Sequence, residues 1–68
     1  MEKRETLEYL KAKYKRLLMT QLEVQAELGI SNNTLIKVRK QGELKSRSVG
    51  GKVMINIGDL ADFMHATA

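Results

Sequence analysis

The sequence predicts a mainly helical domain that carries a small β-hairpin, and three features of its pattern support this. Apolar residues recur every three or four positions in the first part of the chain, which is the period of an amphipathic helix. Residues that favour helix caps stand on both sides of Gly29, and Gly50-Gly51 separates two short runs that resemble strands. The 68 residues are enough for one domain only, because so short a chain cannot bury two independent cores.

The N-terminal segment predicts an amphipathic helix at residues 6–17. Its apolar face is formed by residues three or four positions apart, namely Leu7, Leu10, Tyr14 and Leu17. The last turns of this helix are rich in Lys and Arg, which complement the negative end of the helix dipole. A solvated basic face is the simpler interpretation of these cations, and a contact with phosphate is the alternative.

Residues 21–41 follow the pattern of two short helices joined by a tight turn. Thr20 has a Glu three residues later, which is the capping box of a helix start. Gly29 permits the turn, Ser31 caps the second helix, and Gly42 ends it. The apolar positions match the packing of a helix-turn-helix, in which two helices cross at a steep angle. These positions are Val24, Leu28, Ile30, Leu35 and Val38.

The pattern then changes from helical to strand-like. Val49, Val53, Ile55 and Ile57 lie among polar residues in two short runs, residues 45–49 and 52–57, and the Gly50-Gly51 pair between them suits a two-residue hairpin turn. A last short helix is predicted to begin at Asp59, and we expect His65 to be a solvated residue of the tail. The residues of this helix that should return to the core are Leu60, Phe63 and Met64.

Positive charge is concentrated in one part of the chain, although the net charge is only +4. Residues 37–52 hold six cations against the single acid Glu43, whereas residues 1–36 hold six cations against five acids. The six cations of residues 37–52 are Lys37, Arg39, Lys40, Lys45, Arg47 and Lys52. Clustered positive charge indicates a polyanionic partner, so the functional surface is predicted in this segment.

Composition argues against several other classes of protein. The chain has no cysteine and one histidine, so disulfides and a thiolate zinc site are excluded, and no cofactor or metal is expected. No nucleophile stands with a base, and no pair of carboxylates suggests a catalytic cleft, so we do not expect an enzyme. No apolar run approaches the roughly 20 residues of a membrane span, and we expect a soluble, cytoplasmic protein.

Four motifs stand at the places that a known family uses: Ser31, Gly42-Glu43-Leu44, Gly50-Gly51 and Asp59-Leu60. Through them, residues 18–64 resemble the winged helix-turn-helix of phage excisionases and MerR-type regulators. Two departures are Arg39, where an apolar residue is common, and the N-terminal helix, which many members lack. The resemblance implies a winged helix-turn-helix unit at residues 19–68. Residues 1–18 then belong to the same unit or serve self-association.

The resemblance further implies a small, sequence-specific, double-stranded DNA-binding protein that is bacterial or phage-encoded and nucleoid-associated. Its role would be that of an excisionase-like recombination directionality factor or of a small transcriptional regulator of a mobile element. A recombinase or the transcription machinery would be a further partner. One short helix and one wing cover little DNA, so a homodimer or a cooperative array is also expected.

The exposed side of the second helix of the motif is the predicted contact with the major groove. The residues on this side are Ser31, Asn32, Asn33, Ile36, Lys37 and Lys40. Asn pairs with adenine, Lys reaches guanine acceptors, and an apolar side chain meets the thymine methyl group. Both asparagines also suit the first turn of a helix without any DNA contact.

The hairpin adds Lys45, Arg47 and Lys52, which are predicted to reach phosphates or the minor groove. Cations on a hairpin edge also protect it against aggregation, which is the alternative interpretation of each. The competing function is a protein-interaction module that docks a recombinase, a repressor or a polymerase without binding DNA. The polar and basic side of the second helix favours DNA over such a module.

Overall fold

The computed structural model describes residues 2–66 and confirms the predicted winged helix-turn-helix. The elements in chain order are α1 (Lys3–Tyr14), β1 (Leu18–Thr20), α2 (Gln21–Leu28), α3 (Asn32–Lys40), β2 (Arg47–Val49), β3 (Lys52–Asn56) and α4 (Ile57–Ala66). The three strands form one antiparallel sheet in the order β1-β3-β2. In this part of the chain, no helix is long and apolar enough to cross a lipid bilayer.

The sheet has one strand more than the sequence predicts. β1 pairs with β3, and Met19 stands opposite Ile55 at the centre of the pairing, with both side chains fully buried. β1 leads directly into α2 at Thr20, whose side chain forms the predicted capping box with Glu23. The added strand therefore joins the hairpin of β2 and β3 to the first helix of the motif.

α1 ends three residues earlier than the sequence predicts. Lys15 adopts a left-handed conformation with φ 57°, and its N–H group donates to the carbonyl of Lys11 at 2.8 Å, which terminates the helix. Leu17 has helical spacing but lies beyond the helix, where its side chain is 61% exposed. Its carbonyl accepts a hydrogen bond from the N–H group of Ile57, so the chain is already extended alongside the end of β3.

The core is built by all the elements except β2. Its members are Leu10, Met19, Val24, Leu35, Leu44, Ile55, Ile57, Leu60 and Ala61. Leu35 anchors α3 in this core, and Val38 packs against it on the same side of the helix. The apolar positions predicted for the helix-turn-helix are thus buried or packed on the core. The burial of Leu35 and the packing of Val38 consequently determine which side of α3 faces outward.

α4 begins two residues earlier than predicted because Asn56 caps it. The Asn56 Oδ1 atom accepts a hydrogen bond from the N–H group of Gly58 at 2.7 Å.

The expectation of a solvated His65 was wrong, since α4 packs on α1 and brings the His65 Nε2 atom within 2.9 Å of the Thr6 Oγ1 atom. Thr6 is buried and His65 is half-buried. Phe63 and Met64 pack against the core as predicted.

A polar cluster joins α1 to α2 around the carboxylate of Glu27, whose side chain is only 9% exposed. This carboxylate accepts hydrogen bonds from the hydroxyl groups of Tyr14 at 2.7 Å and Tyr9 at 3.0 Å, and from the Lys13 Nζ atom at 3.0 Å. Burial alone raises the pKa of Glu27, but the three hydrogen bonds outweigh it and hold the pKa below its usual range. The bond to Glu27 in turn raises the pKa of Tyr14.

We expect Glu27→Gln to lower the free energy of unfolding by about 1–3 kcal/mol at neutral pH, because it removes the charged acceptor of three hydrogen bonds. A folded-state pKa below the unfolded value of about 4.3 stabilises the protein above that pH. This contribution is lost as the pH falls through the folded-state pKa, and the variant should lack that part of the acid dependence. Urea unfolding at neutral pH and at a series of lower pH values measures both effects.

Glu8→Gln is the matched control, because Glu8 lies on the exposed surface of the same helix α1. Its free energy of unfolding at neutral pH should equal that of the wild type. If Glu27→Gln also kept the wild-type stability and acid profile, the cluster would not hold α1 to α2.

Candidate nucleic-acid interface

The start of α3 is fixed by a side-chain cap and a glycine turn. The Ser31 Oγ atom accepts a hydrogen bond from the N–H group of Thr34 at 3.2 Å and lies 3.0 Å from the Thr34 Oγ1 atom. Gly29 has a φ of 68°, a left-handed conformation that suits glycine, and it ends α2. Three residues therefore turn the chain from α2 into α3, as the sequence predicts.

The outward side of α3 contains most of the predicted DNA contacts. Asn32 and the other polar members are exposed, and Ile36 is half-buried. Asn33, Lys37 and Lys40 follow at spacings of four and three residues, so they form one stripe along the helix. The cationic stripe is exposed while the apolar side faces the core, so no part of residues 2–66 buries Asn33, Lys37 or Lys40.

The two asparagines at the start of α3 differ in their surroundings. The Gln25 side chain on α2 donates to the Asn32 Oδ1 atom at 3.3 Å, which occupies one of its two lone pairs. Asn33 makes no side-chain hydrogen bond with the described residues. Pairing with adenine uses both the oxygen and the nitrogen of the amide, so Asn33 is the better placed of the two.

The wing is the hairpin of β2 and β3. Gly50 and Gly51 have φ angles of 57° and 83°, and Val49 stands opposite Lys52. The sequence predicts a two-residue hairpin turn at this pair of glycines, and the two consecutive positive φ angles are those of a type I′ turn.

The first strand of the wing is shorter than predicted. It begins at Arg47 rather than at residue 45, so Arg47 is the first residue of the strand and lies at the base of the wing. Arg47 stands opposite Met54, and Lys52 is two residues from Met54 along β3, so both cations project from one face of the sheet. That face is opposite the one that buries Met19 and Ile55.

The remaining wing residues line two separate depressions. Lys45 precedes β2 and, with Arg47, lines a depression of about 270 Å³ that also contains the acidic Asp59. Lys52 lies near the turn and lines another depression together with Leu22 of α2. The predicted site residues thus fall into three groups, which are the start and outward side of α3, the base of the wing and the tip of the wing.

A notch of about 160 Å³ lies between α3 and the base of the wing, lined by Ile36, Arg39, Lys40 and Ser46. The Arg39 Nε atom donates to the Ser46 Oγ atom at 3.2 Å, and its Nη1 atom donates to the Gln21 Oε1 atom at 2.9 Å. One side chain thereby connects α3, the start of α2 and the segment before β2. The sequence-based site included neither Arg39 nor Ser46. The sequence feature that could have indicated this connection is Arg39 itself, because an apolar residue is common at its place in the family that the chain resembles.

The ion pairs of the described residues all use cations outside the basic segment 37–52. The pairs are Lys3 with Asp62, Lys13 with Glu27 and Arg16 with Glu23. Within residues 2–66, none of the six cations of residues 37–52 forms an ion pair with a carboxylate. The positive charge of the N-terminal helix region is therefore partly neutralised, whereas that of α3 and the wing remains available to a partner.

The model of the helix-turn-helix domain family matches residues 18–68, from the first residue of β1 through every element after it. The chain belongs to this helix-turn-helix domain family. It is therefore a DNA-binding protein with DNA as its partner, and the family is typically non-enzymatic. The predicted helix-turn-helix membership is confirmed. Comparisons with curated proteins and with solved structures found no match.

Three substitutions at Ser31 should separate its role in the fold from its nearness to DNA. Ser31→Ala removes the cap and should lower the free energy of unfolding by about 0.5–2 kcal/mol. Ser31→Asn and Ser31→Asp keep a capping oxygen, so both should retain the stability of the wild type. Only Ser31→Asp places a negative charge at the start of α3, and it should weaken binding to a labelled duplex through repulsion by phosphates. Ser31→Asn is the neutral control, and equal affinities for the two would place this end of α3 away from DNA.

Proposed function

We propose that the chain binds double-stranded DNA sequence-specifically, with α3 in the major groove and the wing against the adjacent backbone or minor groove. The observation that supports this most strongly is the distribution of unpaired charge. Six cations on α3 and the wing lack carboxylate partners among the described residues, while three cations outside this segment have them. A duplex neutralises such a surface through its phosphates and releases its own counterions.

The outward side of α3 supplies both base and backbone contacts in this proposal. Asn33 reads adenine through both atoms of its amide, and Ile36 meets a thymine methyl group. Lys37 and Lys40 reach guanine acceptors or phosphates farther along the groove. Each good bidentate pair discriminates against the wrong base by about 1–3 kcal/mol. Arg47 and Lys52 extend the contact from the wing, and Lys45 beside Asp59 is the weakest of the proposed contacts.

We infer that the biological role is that of an excisionase-like recombination directionality factor or a transcriptional regulator of a mobile element. Both roles use the same surface, and the capped helix pair followed by a Gly-Gly wing supports either one. The outward side of α3 covers only a few base pairs, so binding as a dimer or a cooperative array fits both roles. A recombinase or the transcription machinery is then the protein partner.

A docking module that does not bind DNA is the competing function, and an apolar outward side on α3 would favour it. The large apolar side chains that are exposed lie elsewhere, at Tyr9, Leu17, Leu22 and Val49. The polar and cationic outward side of α3 therefore favours DNA.

The double variant Lys37→Ala, Lys40→Ala should bind DNA more weakly and with a flatter salt dependence. The slope of log K against log salt is negative, and each lost phosphate contact reduces its magnitude by about 0.9. The magnitude should therefore decrease by up to about 1.8. Fluorescence anisotropy with a labelled duplex of mixed sequence over a potassium chloride series measures this. The control is Arg4→Ala, Lys11→Ala, which removes the same charge from exposed positions of α1. Equal losses in both variants would mean that net charge, rather than α3, governs binding.

Asn33→Ala should remove base preference at one position without abolishing binding. Selection from a random duplex library, followed by sequencing, is expected to enrich a motif with the wild type. The variant should enrich the same motif with one adenine position relaxed, because the contact is local. Unfolding in urea checks that stability is unchanged. An identical motif from both proteins would remove Asn33 from base recognition.

A further inference from the structure

Arg39 is a half-buried cation that has no counter-ion within the described residues. A guanidinium group stays charged at any accessible pH and offers five N–H donors, of which the two bonds to Gln21 and Ser46 use two. Both acceptors are neutral, so they orient the group without cancelling its charge. Removing a charge from water without pairing it is costly, so such a group favours an anionic ligand.

The notch beside Arg39 has the character of an anion site. Lys40 adds a second cation, Ser46 adds a hydroxyl group, and the four lining residues include no acid. The depression around Lys45 and Arg47, by contrast, contains Asp59. The notch of about 160 Å³ has the volume of several water molecules at about 30 Å³ each, so a tetrahedral phosphate has room in it.

We propose that this notch binds one phosphate of the DNA backbone, with Arg39 as its main contact and Lys40 beside it. The inference rests on the proposed function, since the duplex reaches the notch only if α3 and the wing lie against it. The planar fork of arginine matches two phosphate oxygens, which a lysine at the same place does not. Because Gln21 and Ser46 hold the guanidinium in place, a phosphate bound there fixes the register of α3 and the wing together.

The test measures the salt dependence of binding for Arg39→Met and Arg39→Lys, with the same labelled mixed-sequence duplex. Arg39→Met should weaken binding several-fold and lower the salt slope by about 0.9, the value for one phosphate. Arg39→Lys should keep the slope and still bind several-fold more weakly, because it lacks the fork. Arg16→Met is the matched control, since Arg16 is paired with Glu23, and it should leave the slope unchanged.

The outcomes distinguish this inference from the proposed function. If Arg39→Met keeps the wild-type slope while Lys37→Ala, Lys40→Ala lowers it, the phosphate notch is overturned and the DNA-binding surface stands. If neither variant lowers the slope, the proposed function itself fails. If Arg39→Met does not fold, Arg39→Lys decides, because wild-type affinity in that variant overturns the role of the fork.

A second measurement identifies the source of the phosphate. The NMR signal of the Arg39 Nε–H group in the wild type should shift when the duplex is added and stay in place with inorganic phosphate at equal ionic strength. An equal shift with inorganic phosphate would indicate a site for the free anion and overturn the assignment to DNA.

Discussion

The antiparallel pairing of β1 with β3 determines where the wing lies relative to the two helices of the motif. β1 continues directly into α2, and β3 carries the wing, so the pairing of the two strands, with Met19 and Ile55 buried at its centre, connects both parts. Without this pairing, the hairpin would be joined to α3 through the segment after Gly42 and the hydrogen bond of Arg39 to Ser46. A two-stranded hairpin alone is marginally stable in water, whereas three strands with a buried apolar face can be stable. The orientation of every cation on the wing depends on this sheet.

Features of the fold that depend on neighbours in sequence could be predicted. Each local motif depends on residues within a few positions of one another: the capping box at Thr20, the cap at Ser31 and the positive φ angles of Gly50-Gly51. β1 could not be predicted in this way, because three residues show no period and their partner lies far along the chain. The early end of α1 at Lys15 was missed for a related reason, since a left-handed lysine has no sequence signal of its own.

The candidate site shows the same division between local and distant determinants. The stripe of α3 follows from its helical period, so Lys37 and Lys40 were predicted together with their exposure. The notch required knowledge of which segments meet, because Gln21, Arg39 and Ser46 come from three parts of the chain. The sequence likewise showed that residues 37–52 are rich in cations, but not that acids elsewhere are paired with other cations. Glu23, Glu27 and Asp62 are the acids paired in this way within residues 2–66, whereas the six cations of residues 37–52 have no carboxylate partner there. Clustered positive charge of this kind can steer a polyanion.

The N-terminal helix lies outside the family match and yet contributes to the same core. Leu10 is fully buried with the residues of α4 and the sheet, and Thr6 is buried against His65. The carboxylate of Glu27 belongs to the first helix of the motif, but its hydrogen-bond donors all come from α1. Without α1, that carboxylate would lose its partners and the core would be exposed on one side. We infer that α1 is part of one folding unit with the helix-turn-helix, and that it stabilises the motif on which α3 and the wing are held.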